Sequence, residues 1–138
     1  MGDEAGQRER NLELVRQVFA HISAGEHERM VELMADDLVF ELPYGPKGMP
    51  GRFESKRKFQ RLQAGMFPLF SRFALELVEV HPTLDPSMLV AEYRSDAQVK
   101  KNGAPYQNRY IGVFRFREGK ICFWREFHNP EAASAALA

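Results

Sequence analysis

The sequence predicts an α+β fold in which helices pack against one face of a curved antiparallel sheet. In the first half of the chain, apolar residues recur every three or four positions, which is typical of amphipathic helices. In the second half they alternate in part with polar residues, which is typical of half-buried strands. Two residue pairs that end in glycine, Asn102-Gly103 and Glu118-Gly119, separate the predicted strands of the second half and indicate hairpins. Helices followed by a run of hairpin-connected strands favour the α+β class.

Three helices and one strand are predicted in the first half. The first helix covers about residues 7–24 and ends at Gly25, because glycine readily adopts the left-handed conformation that closes a helix. A shorter helix follows within residues 26–35, and residues 38–42 form a short strand. The third helix begins near Ser55, whose hydroxyl can cap the free amides of a first turn.

Four strands are predicted in the second half, and they cover about residues 72–80, 88–99, 106–117 and 121–128. The Asn102-Gly103 pair between the second and third is a strong hairpin signal, because both turn residues must tolerate a positive φ. Glu118-Gly119 turns the chain again before the last strand, which Pro130 ends, and an alanine-rich tail follows.

The segment after the first strand, residues 43–51, holds three prolines and three glycines, which excludes a helix or a central strand. A sheet that curls around helices leaves a conical cavity, and such a cavity is the natural place for a small ligand. We expect this proline-rich loop to form a rim or lid at the mouth of the cavity.

Size and charge narrow the class of protein. A chain of 138 residues is one domain, with a core over about residues 8–130. Lys plus Arg and Asp plus Glu are both 19, and a net charge of zero argues against a nucleic-acid binder. The single cysteine, Cys122, excludes an internal disulfide. The polar N-terminus does not resemble a signal peptide and no apolar run is long enough for a membrane helix, so we expect a cytoplasmic protein.

Four segments resemble the SnoaL-like branch of the nuclear transport factor 2-like (cystatin-like) superfamily. They are Ala35-Asp36-Asp37-Leu38, the loop 43–50, Tyr106-x-x-x-Tyr110 and residues 124–130. The resemblance covers residues 8–130 and implies a cone-shaped sheet around the helices and a homodimer. The branch includes polyketide cyclases, ketosteroid-isomerase-related proteins, the phenazine biosynthesis A/B proteins and limonene epoxide hydrolase.

Two of these relatives can be compared at single positions. The positions that resemble the proton-transferring residues of ketosteroid isomerase hold Leu42, Val18 and Gly112, none of which can transfer a proton. The segment around Glu126 resembles the phenazine proteins, including their acid/base glutamate, but the position of their partner histidine holds Phe59. Neither mechanism therefore carries over as a whole.

The charged triad of limonene epoxide hydrolase is matched more closely. Arg94-Ser95-Asp96 has the spacing of its Arg and first Asp, and Glu126 stands where its second Asp would be. The positions that resemble its water-binding Tyr and Asn hold Phe40 and Glu41 or Leu42. The resemblance thus implies a charged triad without the neutral side chains that hold the water.

The resulting hypothesis is that Arg94 bridges Asp96 and Glu126, with Glu126 as general base and Asp96 as general acid. Residues two apart in a strand share a face, and Gly112 between the two rows leaves room for long side chains to meet. A purely structural or ligand-anchoring bridge is the alternative, and Glu92 offers Arg94 a competing partner.

Further side chains are predicted to contact a ligand in the cone. Tyrosine hydroxyls, an imidazole and an amide would bind its polar groups, and aromatic rings would form the wall. These residues are Tyr110, Tyr106, His128, Asn108, Trp124, Phe40 and Phe59. No metal site is expected, because no two of the four histidines have the spacing of metal ligands. The basic residues 52–61 are interpreted as a solvated helix face or, alternatively, as anion capture at the rim.

Three functions remain open at this point. The first is a cofactor-free enzyme that isomerises, cyclises, dehydrates or hydrates a small hydrophobic molecule. The second is a non-catalytic binding protein that uses the same polar groups as anchors. The third is an interaction module with a vestigial pocket. Phe123 and Phe127 on the other sheet face predict a surface for the homodimer that the resemblance implies.

Overall fold

A computed structural model describes residues 3–138 and confirms the α+β class, with N-terminal helices and a six-stranded, curved and unclosed sheet. Met1 and Gly2, which begin the segment predicted not to be a signal peptide, lie outside the described residues. The helices are α1 (Glu4–Ser23), α2 (His27–Glu32), α3 (Lys56–Met66) and α4 (Pro130–Leu137), and a 3-10 turn (Phe67–Leu69) follows α3. Ser55 caps α3 as predicted, because its hydroxyl accepts a hydrogen bond from the amide of Lys58. Within the described residues, no helix combines the length and apolar character needed to cross a membrane.

The strands are β1 (Met34–Glu41), β2 (Arg52–Glu54), β3 (Phe70–Pro82), β4 (Met88–Val99), β5 (Pro105–Arg117) and β6 (Lys120–His128). Their order in the sheet is β2-β1-β6-β5-β4-β3. All neighbours are antiparallel except β1 and β6, which run parallel. The predicted antiparallel arrangement holds for every pairing but one, since the last strand returns parallel to the first.

The two predicted hairpin turns differ in geometry. Glu118 and Gly119 both have positive φ, 52° and 75°, and connect β5 to β6 through a two-residue turn. At the other turn only Gly103 has a positive φ, 70°, and residues 100–104 form a longer connection. The expectation that Asn102 also adopts a positive φ is wrong.

One face of the sheet, called here the inner face, packs against the helices. Along β4 and β5 buried and more exposed residues alternate, as expected for strands with one covered face. The residues of β4 that point inward are the odd-numbered ones, Leu89, Ala91, Tyr93, Ser95, Ala97 and Val99. The even-numbered residues of β4 point to the outer face. This alternation decides which polar side chains of the strand can meet a ligand inside the cone.

The alanine-rich tail, for which the sequence predicted no structure, is the helix α4. Asn129 caps it by accepting a hydrogen bond from the amide of Glu131, and Pro130 occupies its first turn, where a proline loses no helical hydrogen bond. The helix packs beside β5, and its residues Ala133 and Leu137 face the cavity described next.

Candidate active site

A cavity of about 470 Å³ lies between the inner face of the sheet, α3 and α4. Its wall is mainly apolar and rich in aromatic rings, which come from Phe40, Phe67, Phe70, Phe73, Tyr106, Tyr110 and Trp124. The proline-rich loop contributes Pro46 and Met49, in agreement with its predicted place at the rim. The size and lining are those of a small-molecule site.

Glu126 places a carboxyl group in this apolar wall. Strand β6 directs Trp124, Glu126 and His128 to the same face, because each is two residues from the next. The hydroxyl of Tyr93 donates a hydrogen bond of 2.6 Å to Oε2 of Glu126. Nε1 of Trp124 in turn donates to the Tyr93 hydroxyl over 3.1 Å. The carboxyl is therefore fixed by a chain of two donors, and Oε1 has no hydrogen-bond partner among residues 3–138.

Burial is the main cause of an altered acidity at Glu126. It raises the pKa of the carboxyl from 4.5 to about 7, since the apolar surroundings disfavour its charged form, while the Tyr93 hydrogen bond acts in the opposite direction. Burial and the neighbouring carboxylate raise the pKa of Tyr93 well above 10, so its hydroxyl remains a donor at neutral pH. A carboxyl that titrates near pH 7 can both accept and return a proton under ordinary conditions.

Gly112 makes the contact between Tyr93 and Glu126 possible. It is paired with Glu126 on β6 and with Ala91 on β4. A Cβ atom at this position would lie 2.8 Å from the Tyr93 hydroxyl oxygen and 2.7 Å from the ring of Phe114. Gly112 was expected to make room for Arg94 to reach Glu126, but the side chain that passes beside it to Glu126 is Tyr93.

The predicted bridge from Arg94 to Asp96 and Glu126 is wrong. Arg94 and Asp96 share a face as predicted, but it is the outer face, because both are even-numbered residues of β4. There Nη2 of Arg94 donates to Glu76 over 2.9 Å, and Asp96 accepts from Nη2 of Arg72 over 3.1 Å. Glu126 lies on the other side of the sheet, so the three groups cannot act together.

A second hydrogen-bonded chain runs along the inner face beside the cavity. The hydroxyl of Tyr110 lies 2.9 Å from Oγ of Ser95 and 3.2 Å from the hydroxyl of Tyr106. Nδ2 of Asn108 donates to Tyr106 over 2.7 Å and to the carbonyl of Asn129 over 2.9 Å. Tyr106 and Tyr110 line the cavity, as predicted for ligand contacts. Asn108 is buried outside the cavity lining and instead fixes the start of α4, so the structure gives no support to its predicted contact with a ligand.

His128 also lines the cavity. Its Nδ1 atom is buried without a hydrogen-bond partner in the described chain, and its ring lies 6.5 Å from that of Tyr110. Burial lowers the pKa of the imidazole below 6.5, because the charged form loses its hydration. The ring is therefore neutral at pH 7 and offers a nitrogen to a ligand beside Glu126.

The three predicted wall residues fall in different places. Phe40 and Trp124 line the cavity. Phe59 is fully buried behind them, with its ring centroid 5.1 Å from that of Phe40 and 5.9 Å from that of Trp124. It supports the wall and does not reach the cavity lining, so the structure gives no support to its predicted contact with a ligand.

The side chains arranged most like metal ligands lie away from this cavity. Glu79, His81 and Glu92 bring one ligand atom each to within 4.8 Å of one another on the outer face. Nε2 of His81 lies 2.6 Å from Glu92, and this contact raises the pKa of the imidazole. The group is solvent-exposed and already forms an ion pair when His81 is protonated, so we assign it no part in the site.

A larger depression of about 740 Å³ lies between α2 and α3. Its lining is a mixture of polar and apolar residues, most of them exposed, and the ring of His27 stacks on Phe67 at 4.0 Å. Because the smaller cavity combines an aromatic wall with a buried carboxyl, we regard it as the candidate active site.

Sequence reasoning found Glu126 and missed Tyr93. One signal for Tyr93 was available, since Ala91, Tyr93, Ala97 and Val99 form the less charged of the two alternating rows of β4, and the less charged row faces the core. That row holds the partner of Glu126.

Comparison with known proteins agrees with this architecture. Residues 15–124 match the SnoaL-like domain family. The uncharacterized protein YesE of Bacillus subtilis is 29% identical over 129 residues, which cover 94% of this chain and 88% of that protein. A Bacillus subtilis structure provisionally assigned as an isomerase has a TM-score of 0.86 and 28% identity, covering 95% of this chain and 94% of the other. A phenazine biosynthesis-related protein of Pseudomonas aeruginosa has a TM-score of 0.84 and 24% identity, covering 98% and 89%.

Proposed function

We propose that this chain, which belongs to the SnoaL-like domain family of the nuclear transport factor 2-like superfamily, is an enzyme that acts by general acid–base catalysis on a small hydrophobic molecule. The supporting observation is the carboxyl of Glu126 in the wall of an aromatic cavity. One of its oxygens is held by Tyr93, and the other has no partner within the described chain.

In the proposed reaction Glu126 moves a proton between two atoms of the substrate. Its ionised carboxylate takes a proton from a carbon beside a carbonyl group or from a hydroxyl, and the carboxylic acid so formed returns the proton elsewhere. Tyr93 keeps the carboxyl in one orientation through its 2.6 Å hydrogen bond. The neutral imidazole of His128 is placed to form a hydrogen bond with a polar group of the substrate. Isomerisation, cyclisation and dehydration all fit this chemistry, which needs no group beyond the chain itself.

The comparisons favour small-molecule chemistry without naming a substrate. An isomerisation of the kind assigned to the Bacillus subtilis structure can proceed by a proton shift within one molecule. The Pseudomonas aeruginosa protein is related to phenazine biosynthesis, which concerns aromatic metabolites. An aromatic wall in this chain fits ligands of the same general kind.

The first prediction concerns Glu126→Gln, which keeps the shape and the acceptor for Tyr93 but removes the titrating group. We expect kcat to fall by about 10²- to 10⁴-fold, while ligand affinity changes little. Turnover would be assayed on cyclic enones, epoxides, polyketide-like aromatics and aromatic acids. The matched control is Asp96→Asn on the outer face, which we expect to keep full activity. A Glu126→Gln variant with wild-type turnover would contradict the proposal.

A non-catalytic binding protein is the second candidate. It is favoured by the hydroxyls of Tyr106 and Tyr110, which form a hydrogen bond with each other. These hydroxyls therefore stabilise the cavity wall and are less available to a reacting substrate. This candidate predicts that Glu126→Gln leaves ligand affinity unchanged and that the wild type turns over none of the compounds it binds.

For the assembly we propose a homodimer in which two copies pack their outer sheet faces together. Ile111, Val113, Phe123 and Phe127 form a half-exposed apolar patch on that face, with Ile111 paired beside Phe127. Light scattering should give twice the mass of the chain for the wild type, and Ile111→Asp should shift the protein towards the monomer. A monomeric wild type would refute the dimer.

A further inference from the structure

The cavity that holds Glu126 also has a cationic group at its edge. Of the basic residues that the sequence places between positions 52 and 61, Arg61 is among the residues that line the cavity. It lies on α3 next to Leu62 and one turn before Gly65, both of which also line the cavity, and its own side chain is exposed. Arg61 therefore stands where the cavity opens to solvent.

The guanidinium of Arg61 has no acidic partner among residues 3–138, which is unusual for an arginine of this chain. Ten of the arginines make an ion pair with an acidic side chain, and these are Arg8, Arg10, Arg16, Arg29, Arg52, Arg72, Arg94, Arg115, Arg117 and Arg125. Within residues 3–138 the exceptions are Arg57, Arg61 and Arg109, and of these Arg61 lines the cavity. A guanidinium left free at a cavity edge is available to an anionic ligand.

From this position we infer that the ligand is a ring-containing carboxylate, whose anionic group binds Arg61 while its ring lies in the aromatic cavity towards Glu126. The inference rests on the proposed function, because it concerns the same cavity. A planar guanidinium matches one carboxylate through two parallel hydrogen bonds. Among the described residues of the lining there is no second Lys or Arg, so the site matches a single carboxylate better than a doubly charged phosphate.

In this arrangement the aromatic wall binds the hydrophobic part of the ligand, and Arg61 sets its orientation. The apolar rings that line the same cavity as Arg61 and Glu126 would exclude water and hold the hydrophobic body of the ligand. Arg61 then fixes which end of the ligand stays at the mouth, and the opposite end meets Glu126 and His128. A neutral ligand of the same shape would bind without this fixed orientation.

The test uses two matched ligands and a neutral reporter dye. N-phenyl-1-naphthylamine carries no charge, and its fluorescence rises in an apolar cavity. The competing ligands are 2-naphthoate and 2-naphthamide, which differ in charge but hardly in shape. We expect the naphthoate to displace the dye from the wild type at about threefold to tenfold lower concentration than the amide. Arg61→Gln should remove this preference without changing dye binding, and added salt should weaken it in the wild type.

Arg57→Gln is the matched control, since Arg57 lies on the same helix, is exposed and does not line the cavity. It should keep the wild-type preference, and thermal melting should show that both variants fold. Equal displacement by naphthoate and amide in the wild type, or an equal loss in both variants, would overturn the role of Arg61 while leaving the cavity as a binding site. Failure of the dye to bind the wild type would instead overturn the cavity as a ligand site, and both proposals with it.

Discussion

The two faces of β4 carry different polar groups and use them differently: the charged side chains of the strand all lie on the outer face. On the inner face, Tyr93 is buried and donates to Glu126, whose pKa is displaced to about 7. On the outer face, Arg94 and Asp96 form exposed ion pairs with Glu76 and Arg72. The difference shows that burial matters more than the number of charges, because a carboxyl in water keeps its usual acidity whereas one in an apolar wall does not.

The pH dependence of stability gives the largest expected effect. The pKa of Glu126 is about 7 in the folded protein and 4.5 without burial, so between these values the folded protein holds a proton that the unfolded chain has released. Stability contributed by this group therefore falls as the pH rises from 4.5 to about 7, by up to about 3 kcal/mol. Glu126→Gln removes the effect, so the variant should gain stability relative to the wild type between about pH 5 and about pH 8.

Chemical denaturation at several pH values measures this difference. Asp96→Asn on the outer face is the control, and its stability relative to the wild type should be nearly independent of pH over the same range. A constant difference between Glu126→Gln and the wild type would mean that Glu126 ionises normally.

Gly112→Ala should have the next largest effect. The new Cβ would meet the Tyr93 hydroxyl at 2.8 Å and the Phe114 ring at 2.7 Å, so a buried side chain must move. We expect a loss of about 2–3 kcal/mol in unfolding free energy, measured by denaturant titration. Arg109→Ala, an exposed change on the same strand, should stay within about 0.5 kcal/mol. Full stability of Gly112→Ala would show that the close approach of Tyr93 is not needed.

Tyr93→Phe isolates the hydrogen bond from the packing. It leaves the buried Nε1 of Trp124 without its acceptor and Oε2 of Glu126 without its donor, at an expected cost of about 1–2 kcal/mol. Because the Tyr93 hydrogen bond lowers the pKa of Glu126, its removal should shift the pH midpoint of activity upward from about 7. A midpoint that stays in place or moves down would show that Tyr93 does not tune the carboxyl.

The smallest effect is expected on the outer face. Arg94→Gln breaks an exposed pair with Glu76, both more than half exposed, and should change stability by less than about 1 kcal/mol. Ligand binding and turnover should not change. A large loss of turnover in this variant would support the predicted catalytic role of Arg94. It would contradict the conclusion that only the inner face takes part in the reaction.

The sequence was informative about elements and less so about their placement. Local patterns predicted β4 at residues 88–99, the cap at Ser55 and both hairpins, because caps, turns and alternation are encoded by near neighbours. The parallel pairing of β1 with β6 was missed, since it depends on residues far apart in the chain. The short strand β2 was not predicted because three residues next to a proline-rich loop give no periodic signal.

The candidate site was predicted in part for a related reason. Alternation correctly grouped Arg94 with Asp96 and Trp124 with Glu126 and His128, but it did not state which face of each strand is inward. Glu126 and His128 are ionisable residues on the inward face of β6, among the aromatic rings of the cavity wall, and this departure from an apolar core marks the site. The contacts of Asn108 with Asn129 were not predicted, because they depend on α4, which was not predicted although alanine is the best helix former and an Asn-Pro pair is typical of a helix start.

The parallel pairing of β1 with β6 also has a consequence for synthesis on the ribosome. Glu41 and Arg125, which are paired and joined by a 2.6 Å hydrogen bond, are separated by 84 positions in the chain. The hairpins from β3 onward close over short loops, whereas β1 must wait for β6 before it gains its second neighbour. Since β6 carries Glu126, the strand that completes the sheet is also the strand that brings in the reactive carboxyl. A nascent chain thus has no proton-transferring centre until its last strand has paired with β1 and β5.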